Sequence, residues 1–377
     1  LKGLCLLHSL DGLGKMYFSM VWYNSGLDRV AHRGFSSGYA PHRRREQSIL
    51  VQAVLAHRLS KQHISFVQDS YDATNAFASV PTSMLKTIVR THSYNQFATE
   101  LLHQRVDEAH MVISCVDGEV TLCIGSGTFP GDSVAGIWFL CAYHLALDSY
   151  NNECNDKIHV AVPWLHRCIC DKLDDEIHLE NTNVNRIDIS LSSFADDLFK
   201  TRIVKSFDHY KRSAVEHDNL LSFHLSNVSV ASNRGKQNTL VKFFGTGSDS
   251  DQRKAFDIGP PVVHHLRYLG PWLQFDGGLA TEMQNRKLAS KKGYHAFGHF
   301  WQSKMLDWKS TVFKCMFSGT LTSGLIALAP HKTHVNSLNS HQSLYLRKIL
   351  SGKACAKFDE EDNFTNLIVS NGAFLIL

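Results

Sequence analysis

The sequence has no uninterrupted apolar run of the ~18 to 20 residues that a membrane-spanning helix needs; its most apolar stretch, residues 134–147, is shorter and carries His144. It shows no signal-peptide pattern, and it begins at Leu1 rather than at a methionine, so a piece of a longer polyprotein is expected. It contains no internal repeat and no low-complexity linker, which sets aside solenoids and disordered arrays. Its nine cysteines are scattered. Cys168 and Cys170 stand too close for a zinc-ribbon pair and no second pair follows at ligand spacing, so free, mostly buried thiols in a reducing compartment are expected. The 22 histidines form no His-Glu-x-x-His helix and no Cys/His finger, and each is expected to be an ordinary structural residue.

What is present is globular material. The 377 residues are 44% hydrophobic, enough for two or three substructures. A net charge of +4, with a pI near 8.5, suits a nucleic-acid binder without establishing one. Residues 1–60 are mixed: an apolar start, a loop over 34–38, the basic cluster His42-Arg43-Arg44-Arg45 and a helix over 49–59. Residues 61–82 predict a strand, a turn and a helix entry marked by Pro81 and Thr82/Ser83, and helical periodicity fills 83–106. Segments 111–116 and 119–124 meet at Asp117-Gly118, a hairpin signal. The glycine-rich turn Gly125-Ser126-Gly127-Thr128-Phe129-Pro130-Gly131 opens a helix near Asp132 or Ser133. Residues 151–185 are polar and give no assignment. Ile187, Ile189 and Leu191 alternate with polar neighbours, predicting a half-buried strand, and 198–204 is its returning partner. From about 280 the pattern is helical, ending in a weakly structured tail.

Between those two strands lies Phe194-Ala195-Asp196-Asp197. A third carboxylate stands far upstream in Asp72-Ala73-Thr74-Asn75-Ala76-Phe77, five positions before an aromatic ring, and only the fold can bring it to the pair. Two carboxylates ~4 Å apart repel by roughly 4 kcal/mol at an effective dielectric near 20. Such a cluster implies a bound cation or a shifted pKa. Oxygen donors suit magnesium, and two divalent ions together can activate a hydroxyl nucleophile and hold a leaving phosphate. Taken alone, an Asp-Asp turn is more often the solvated tip of a hairpin, and an isolated Phe is more often a core residue.

The acids do not stand alone. His8-Ser9-Leu10-Asp11-Gly12-Leu13-Gly14-Lys15 comes first, then Gly38-Tyr39 with Arg43, Arg44 and Arg45. Residues 72–81 end in Ser79-Val80-Pro81, the glycine-rich turn runs over 127–133, and Asn233 and Lys236 follow the acidic turn at Asn-x-x-Lys spacing. Leu266-Arg267-Tyr268-Leu269-Gly270 closes the series. In this order the segments resemble the reverse transcriptase domain of a non-LTR (LINE-type) retrotransposon polyprotein, over roughly residues 8–350; the tyrosine-leucine-glycine triplet is typical of such elements.

The resemblance implies an α+β right-hand polymerase (fingers-palm-thumb) with an antiparallel palm sheet backed by helices. Fingers and palm would span 1–270, and a helical thumb with a C-terminal extension 271–377. The implied activity is RNA-directed DNA synthesis, adding dNTPs to a primer 3′ end by a two-metal mechanism. Two Mg2+ ions, or Mn2+ in their place, would be held by Asp72, Asp196 and Asp197, assisted by the main-chain carbonyl of Ala73. Lys236 would protonate the departing pyrophosphate, and Phe77 would exclude a 2′-hydroxyl. Arg43 and Arg44 would meet template or triphosphate. Gly127 and Gly131 would let backbone approach the substrates, and Tyr268, Leu269 and Gly270 would form a primer grip. Arg286, Lys287, Lys291 and Lys292 form a basic patch in which Lys287 and Lys291 share a helix face, either to track phosphates or simply as a solvated surface. The implied partners are an RNA template, a DNA primer and dNTPs, with any endonuclease domain outside this chain and no membrane; the nucleus is implied by where such elements integrate.

Two rivals fit less well. The turn over 125–131 lacks the Gly-x-Gly-x-x-Gly spacing or Gly-Lys-Ser/Thr ending of a phosphate-cradling loop. RNA-dependent RNA polymerases usually carry Gly-Asp-Asp at the turn and a second carboxylate where Phe77 stands. A third alternative stays open: a catalytically inactive retroelement fragment that retains at most nucleic-acid binding. Pro130 stands where the family carries glutamine, and Asp69 makes the strand before Asp72 more polar than usual.

Overall fold

Hydrophobic periodicity and a small set of buried polar pairs together build this chain. The computed structural model describes residues 12–108, 110–115, 118–123, 125–128, 134–163, 184–303 and 305–350. The chain divides into two compact units, Leu1–Val263 and His264–Leu377.

The first unit opens with helices α1 (Gly12–Ser25), α2 (Asp28–Ala31) and α3 (Arg45–Lys61), followed by strands β1 (Phe66–Tyr71) and β2 (Ala73–Thr74). Helices α4 (Ala76–Ser79), α5 (Thr82–His92) and α6 (Gln96–Asp107) lead to the hairpin β3 (His110–Cys115) and β4 (Gly118–Cys123). Helix α7 (Ala135–Glu153) precedes the paired strands β5 (His159–Pro163) and β6 (Val184–Asp188), then β7 (Leu191–Phe194) and β8 (Asp197–Ile203). Helix α8 (Phe207–Ser226), strands β9 (Ala231–Ser232) and β10 (Asn238–Lys242), and helix α9 (Ser248–Asp257) complete it.

The main sheet has the order β10-β1-β8-β7, antiparallel throughout. Helix α7 lies against it and is buried almost all round, through Trp138, Phe139, Leu140, Tyr143, Leu147 and Tyr150, as a helix at the centre of a core must be. These side chains share one apolar cluster with Leu85 and Val89 of α5, Leu102 of α6, Leu221 of α8 and Leu198 of β8. A second cluster joins Val67, Val241, Tyr210 and Ala255, from β1, β10, α8 and α9. Both sheet edges are occupied, β7 by a parallel bridge at Ser36 and β10 by one at Val262, which removes the unpaired backbone that an edge strand offers to other chains.

Strand β1 is central, and its polar residues need partners. Gln68 donates to Thr201 Oγ1 at 3.2 Å, and that hydroxyl donates to Gln52 Oε1 at 2.6 Å. Asp69 accepts from Arg202 Nε and Nη2 at 3.0 and 2.6 Å and from Thr239 at 2.8 Å, while Arg202 also reaches Ser213. The unusual polarity at Asp69 is thus a buried ion pair across β1 and β8. The register is Asp69 opposite Lys200 on one side and Thr239 on the other.

Several sequence expectations change. The helical stretch over 83–106 is two helices, broken at Ser93-Tyr94-Asn95, where Asn95 caps α6 by accepting from the Ala98 N–H. The strand expected through Ile187, Ile189 and Leu191 is two strands in different sheets, β6 with β5 and β7 with β8. Helix α8 had no counterpart among the sequence assignments. Among the described residues, Cys141 and Cys154 are free and buried, and Cys315 is free and exposed. Residues 8–11, Val116, Asp117, Ile124, Pro130, Gly131, Asp132, Ser133 and the tail over 351–377 lie outside the described residues.

In the second unit, the hairpin β11 (His265–Arg267) and β12 (Trp272–Gln274) precedes α10 (Ala280–Ala296). Helix α11 (Leu306–Val312) runs through a π-helical turn, Phe313–Ser318, into α12 (Gly319–Thr322), and α13 (Lys332–Ile349) follows. Met283, Trp301, Phe313, Phe317, Leu321, Leu338 and Tyr345 form its core. Arg286, expected in an exposed basic patch, is instead buried against Glu282 and donates to the carbonyls of Leu321 and Ser323. Glu282 in turn accepts from the Trp272 N–H at 2.8 Å, tying hairpin to helix. Lys287 donates to Ser337 at 2.5 Å, while Lys291 and Lys292 are exposed. One helical stretch, Asp307–Leu328, is long and apolar enough to cross a membrane by length and composition alone. Counting uninterrupted apolar runs overlooked it because Asp307, Lys309 and Lys314 fall inside it; Phe313, Phe317, Leu321 and Leu325 spend it on the core of this unit.

Candidate active site

The β7–β8 hairpin pairs Phe194 with Asp197 across two loop residues, Ala195 and Asp196. Ala195 has φ 56°, a conformation more usual for glycine at such turns. The turn is held from two directions. Tyr143, on α7, donates its hydroxyl to the Asp196 carbonyl at 3.2 Å. The loop before α3 lies along β7, with the Ser37 N–H on the Ser193 carbonyl and the Ser193 N–H on the Phe35 carbonyl, both at 2.9 Å. Gly38 continues that loop so close to the Ala195 amide that a Cβ would collide with it, which is why glycine is required there.

Asp72 directly follows β1, the strand that neighbours β8. Its carbonyl accepts the Asn233 N–H at 2.7 Å and Ala73 pairs with Ser232, so backbone alone carries the 231–237 segment to the acids. There Lys236 Nζ donates to Asp72 Oδ2 at 2.7 Å. The lysine is mostly exposed, and such an ion pair contributes little stability; what it fixes is position. Beneath this segment Asp218 of α8 accepts from Tyr71 and from Gln237, each at 3.1 Å.

The three acids act on one another. Burial, then the Asp196 and Asp72 carboxylates, push the Asp197 carboxyl up to about 6, with Lys236 opposing. Asp196 is raised as well, first by burial, with its own backbone N–H and Lys236 pulling the other way and Asp72 adding to the rise. Lys236 is raised by its hydrogen bond to Asp72. Among the described residues no group of three or more His, Cys, Asp or Glu side chains is arranged to hold a metal ion. The acids therefore share a field rather than a preformed cage, and Lys236 supplies the positive charge at Asp72. The donor set is oxygen only and strained by repulsion, the chemistry that suits a hard divalent cation.

Phe77 is partly buried between two rings: Phe139 at 5.0 Å and Tyr39, edge-on, at 6.4 Å. Phe139 stacks on Tyr143 at 5.1 Å, which completes a path from Phe77 to the Asp196 carbonyl. Gly127, at φ 89°, packs against the backbone of Phe77 and Ala78, where a Cβ would come within 2.6 Å of Ala78 Cα; Gly127 N–H and Thr128 N–H bond the carbonyls of Val80 and Phe77 at 2.7 Å. Here the glycine seats the Phe77 segment.

Arg43, expected to meet template or triphosphate, turns its guanidinium onto the carbonyls of Arg33 and Ser36, both at 2.5 Å, and clamps the loop. Arg44 is exposed at the start of α3, its N–H on Gln47 Oε1 at 3.2 Å. In the second unit, Tyr268, Leu269 and Gly270 form the tip of the β11–β12 hairpin, with Tyr268 buried and φ 50° and 116° at Leu269 and Gly270. Tyr143 and Asp218, which support the turn and the Lys236 segment, were missed by sequence reasoning. Each is a single polar group in a helix, with no spacing that marks it.

No protein-family model matches the sequence, and no curated protein matches it. Solved telomerase structures do. Apo telomerase from Candida tropicalis is 10% identical with a TM-score of 0.46, over 95% of this chain and 53% of that one. Telomerase from Candida albicans in complex with the TWJ fragment of telomeric RNA is 9% identical with a TM-score of 0.44, over 97% and 56%. Apo Candida tropicalis telomerase truncated from its C-terminal domain is 13% identical with a TM-score of 0.43, over 69% and 44%. This chain spans about half the length of the telomerase chains to which it is similar.

Proposed function

We propose that the chain is an RNA-directed DNA polymerase derived from a non-LTR retrotransposon, adding deoxynucleotides to a primer 3′ end. One observation carries this: Asp72, the Asp196-Asp197 pair and Lys236, from three distant stretches of sequence, meet in one electrostatic centre. Phe77 stands five residues from Asp72, in an aromatic path that ends on the Asp196 carbonyl.

Phosphoryl transfer asks mainly for positioning and for neutralisation of charge. Asp72, Asp196 and Asp197 would hold two Mg2+ ions, which when bound supply nucleophile activation and charge neutralisation at the leaving phosphate. Mn2+, with the same preference for oxygen, would substitute. The protein's own groups do the rest. The primer 3′ oxygen forms a bond to the α-phosphorus of the dNTP, the bond to pyrophosphate breaks, and the hydroxyl proton passes to water. Lys236, charged at neutral pH as a lysine is, gives a proton to the departing pyrophosphate oxygen. Phe77 sets its ring against the sugar, and the Tyr268-Leu269-Gly270 hairpin tip positions the primer. RNA template, DNA primer and dNTPs are the partners, with the nucleus as the site of action; target nicking would depend on sequence outside this chain or on another protein.

The test is Mg2+-dependent primer extension on an RNA template, with deoxynucleotides and ribonucleotides supplied separately and Asp196→Asn protein as the matched control. Extension with deoxynucleotides alone, lost in the Asp196→Asn protein, is the expected outcome. Folded protein that binds primer–template yet extends nothing would overturn the polymerase in favour of an inactive nucleic-acid binder, and would direct attention to Pro130.

A further inference from the structure

Tyr39 has no part in the chemistry above, yet three elements converge to place it. Its backbone follows Gly38, which abuts the Ala195 amide of the acidic turn. Its φ of 54° is one that a bulky residue rarely adopts, and such conformations persist where the surroundings over-determine them. Its ring meets Phe77 edge-on, with centroids 6.4 Å apart and planes at 85°. The same ring lies over Gly136 in the first turn of α7, where an added Cβ would stand 2.6 Å from Tyr39 Cζ and 2.7 Å from Cε1. Phe77 is thus flanked by Phe139 on one side and Tyr39 on the other. Half of the Tyr39 surface stays open to solvent, and its hydroxyl pKa is raised first by burial and then by the Asp196 carboxylate, which places the ring near the acids.

We propose that Tyr39 is a specificity-determining residue for the sugar of the incoming nucleotide, forming with Phe77 a two-ring gate that is seated by the missing side chain of Gly136. This rests on the polymerase function proposed above. A lone Phe77, backed only by Phe139, would be free to tilt away from an added hydroxyl. The second ring blocks that tilt, so the gate's stiffness resides in Tyr39 rather than in Phe77. The role belongs to the ring and not to the phenol, since the contact to Phe77 is through ring edge and face.

Two variants separate the seat from the gate. Tyr39→Ala removes the ring. Gly136→Ala leaves Tyr39 in the chain but drives its ring, the movable end of a side chain, off α7, while alanine suits a helix better than glycine and leaves α7 intact. Tyr39→Phe keeps the ring without the hydroxyl, and Tyr23→Ala removes a remote exposed ring on α1. Two measurements are made on each: the ratio of kcat/KM for dCTP to that for CTP, which differ only at the 2′-position, in primer extension, and the ratio of their equilibrium affinities for the protein–primer–template complex with Ca2+ in place of Mg2+. Tyr39→Ala and Gly136→Ala should each lower the deoxy-to-ribo ratio about tenfold or more, within the range that a single steric contact can discriminate, chiefly by lowering KM for CTP. Tyr39→Phe and Tyr23→Ala should keep the wild-type ratio. A general loss of stability would lower both nucleotides together and leave the ratio unmoved.

Unchanged ratios in both alanine variants would overturn the gate while leaving the polymerase standing. Wild-type protein that binds dCTP in preference to CTP but never extends would overturn the polymerase, and the binding ratios of the variants would still decide the gate. Wild-type protein that binds neither nucleotide would overturn both.

Discussion

Asp197 keeps its proton to about pH 6, against an ordinary value of 3.8, because it is half-buried beside Asp196 and Asp72. The folded pKa is raised, so its contribution to stability is fully present below pH 3.8 and is lost as pH rises through 6. Above that window the native state carries a charge it would rather shed. Asp197→Asn should therefore raise the unfolding free energy at pH 7.5 by about 1–2 kcal/mol, the shift being discounted for solvent screening. It should also flatten the fall in stability between pH 4 and 6.5. Urea melts of both proteins in EDTA across pH 4–8 would show this, and parallel curves would refute it. The acids themselves were legible in the sequence, because a carboxylate cluster is written in residue identity and spacing. Lys236 was legible as well, from its Asn-x-x-Lys spacing, but the roles of the arginines were not. Arg286, grouped in the basic patch, is buried on backbone carbonyls, and Arg43, though exposed, uses Nη1 to clamp the carbonyls of Arg33 and Ser36; nothing in a sequence distinguishes a free basic cluster from guanidiniums bound to the fold.

At the scale of elements, the buried pair between β1 and β8 governs more than any surface interaction. Asp69 and Arg202 are almost fully buried, and each depends on the other. Asp69→Ala leaves an uncompensated guanidinium in the sheet and should cost about 3–5 kcal/mol, read as a drop in the urea midpoint at unchanged slope. Replacing both, as Asp69→Leu with Arg202→Met, should cost clearly less than the two single changes combined; additive costs would show that the pair is not coupled. Strand β8 and the acidic turn were legible from alternation and motif. Helix α8 was not, because its buried face is built from Tyr210, Ser213, His217, Leu221, His224 and Leu225. The helical period is there, but half of those positions are serine or histidine, so an apolar-periodicity search passes over it. Buried His217, paired with Asp156 and bonded to Tyr150 at 3.0 Å, shows what such positions do instead. The break between α5 and α6 did leave a signal, since Asn95 is a favoured capping residue. The switch of sheets at Ile189-Ser190 left none, because the alternation of Ile187, Ile189 and Leu191 runs straight through it.

At the scale of the whole molecule, chemistry and core are partitioned together. Asp72, Asp196, Asp197, Lys236, Phe77 and Tyr39 all belong to the unit Leu1–Val263, along with the apolar clusters around α7 and around β1 and β10. That unit closes on itself: the Thr239 N–H bonds the Pro261 carbonyl and the Val263 N–H bonds the Thr239 carbonyl, at 2.8 and 3.0 Å, so its last residues seal the open edge of β10. The unit His264–Leu377 has a separate, aromatic-rich core and its own buried Glu282–Arg286 pair. Two compact units, each with apolar clusters of its own among the described residues, predict two unfolding events, where a single core would give one. Calorimetry of the full chain should resolve two transitions, and a fragment ending at Val263 should reproduce one of them with an enthalpy of about 160–210 kcal/mol near 60 °C, from the usual value per residue. In that fragment the fall in stability between pH 4 and 6.5 should persist, since every group that raises the Asp197 carboxyl is retained. A fragment that fails to unfold cooperatively would mean that the acidic centre depends on residues beyond Val263, and that what is compact by contact is not independent by energy.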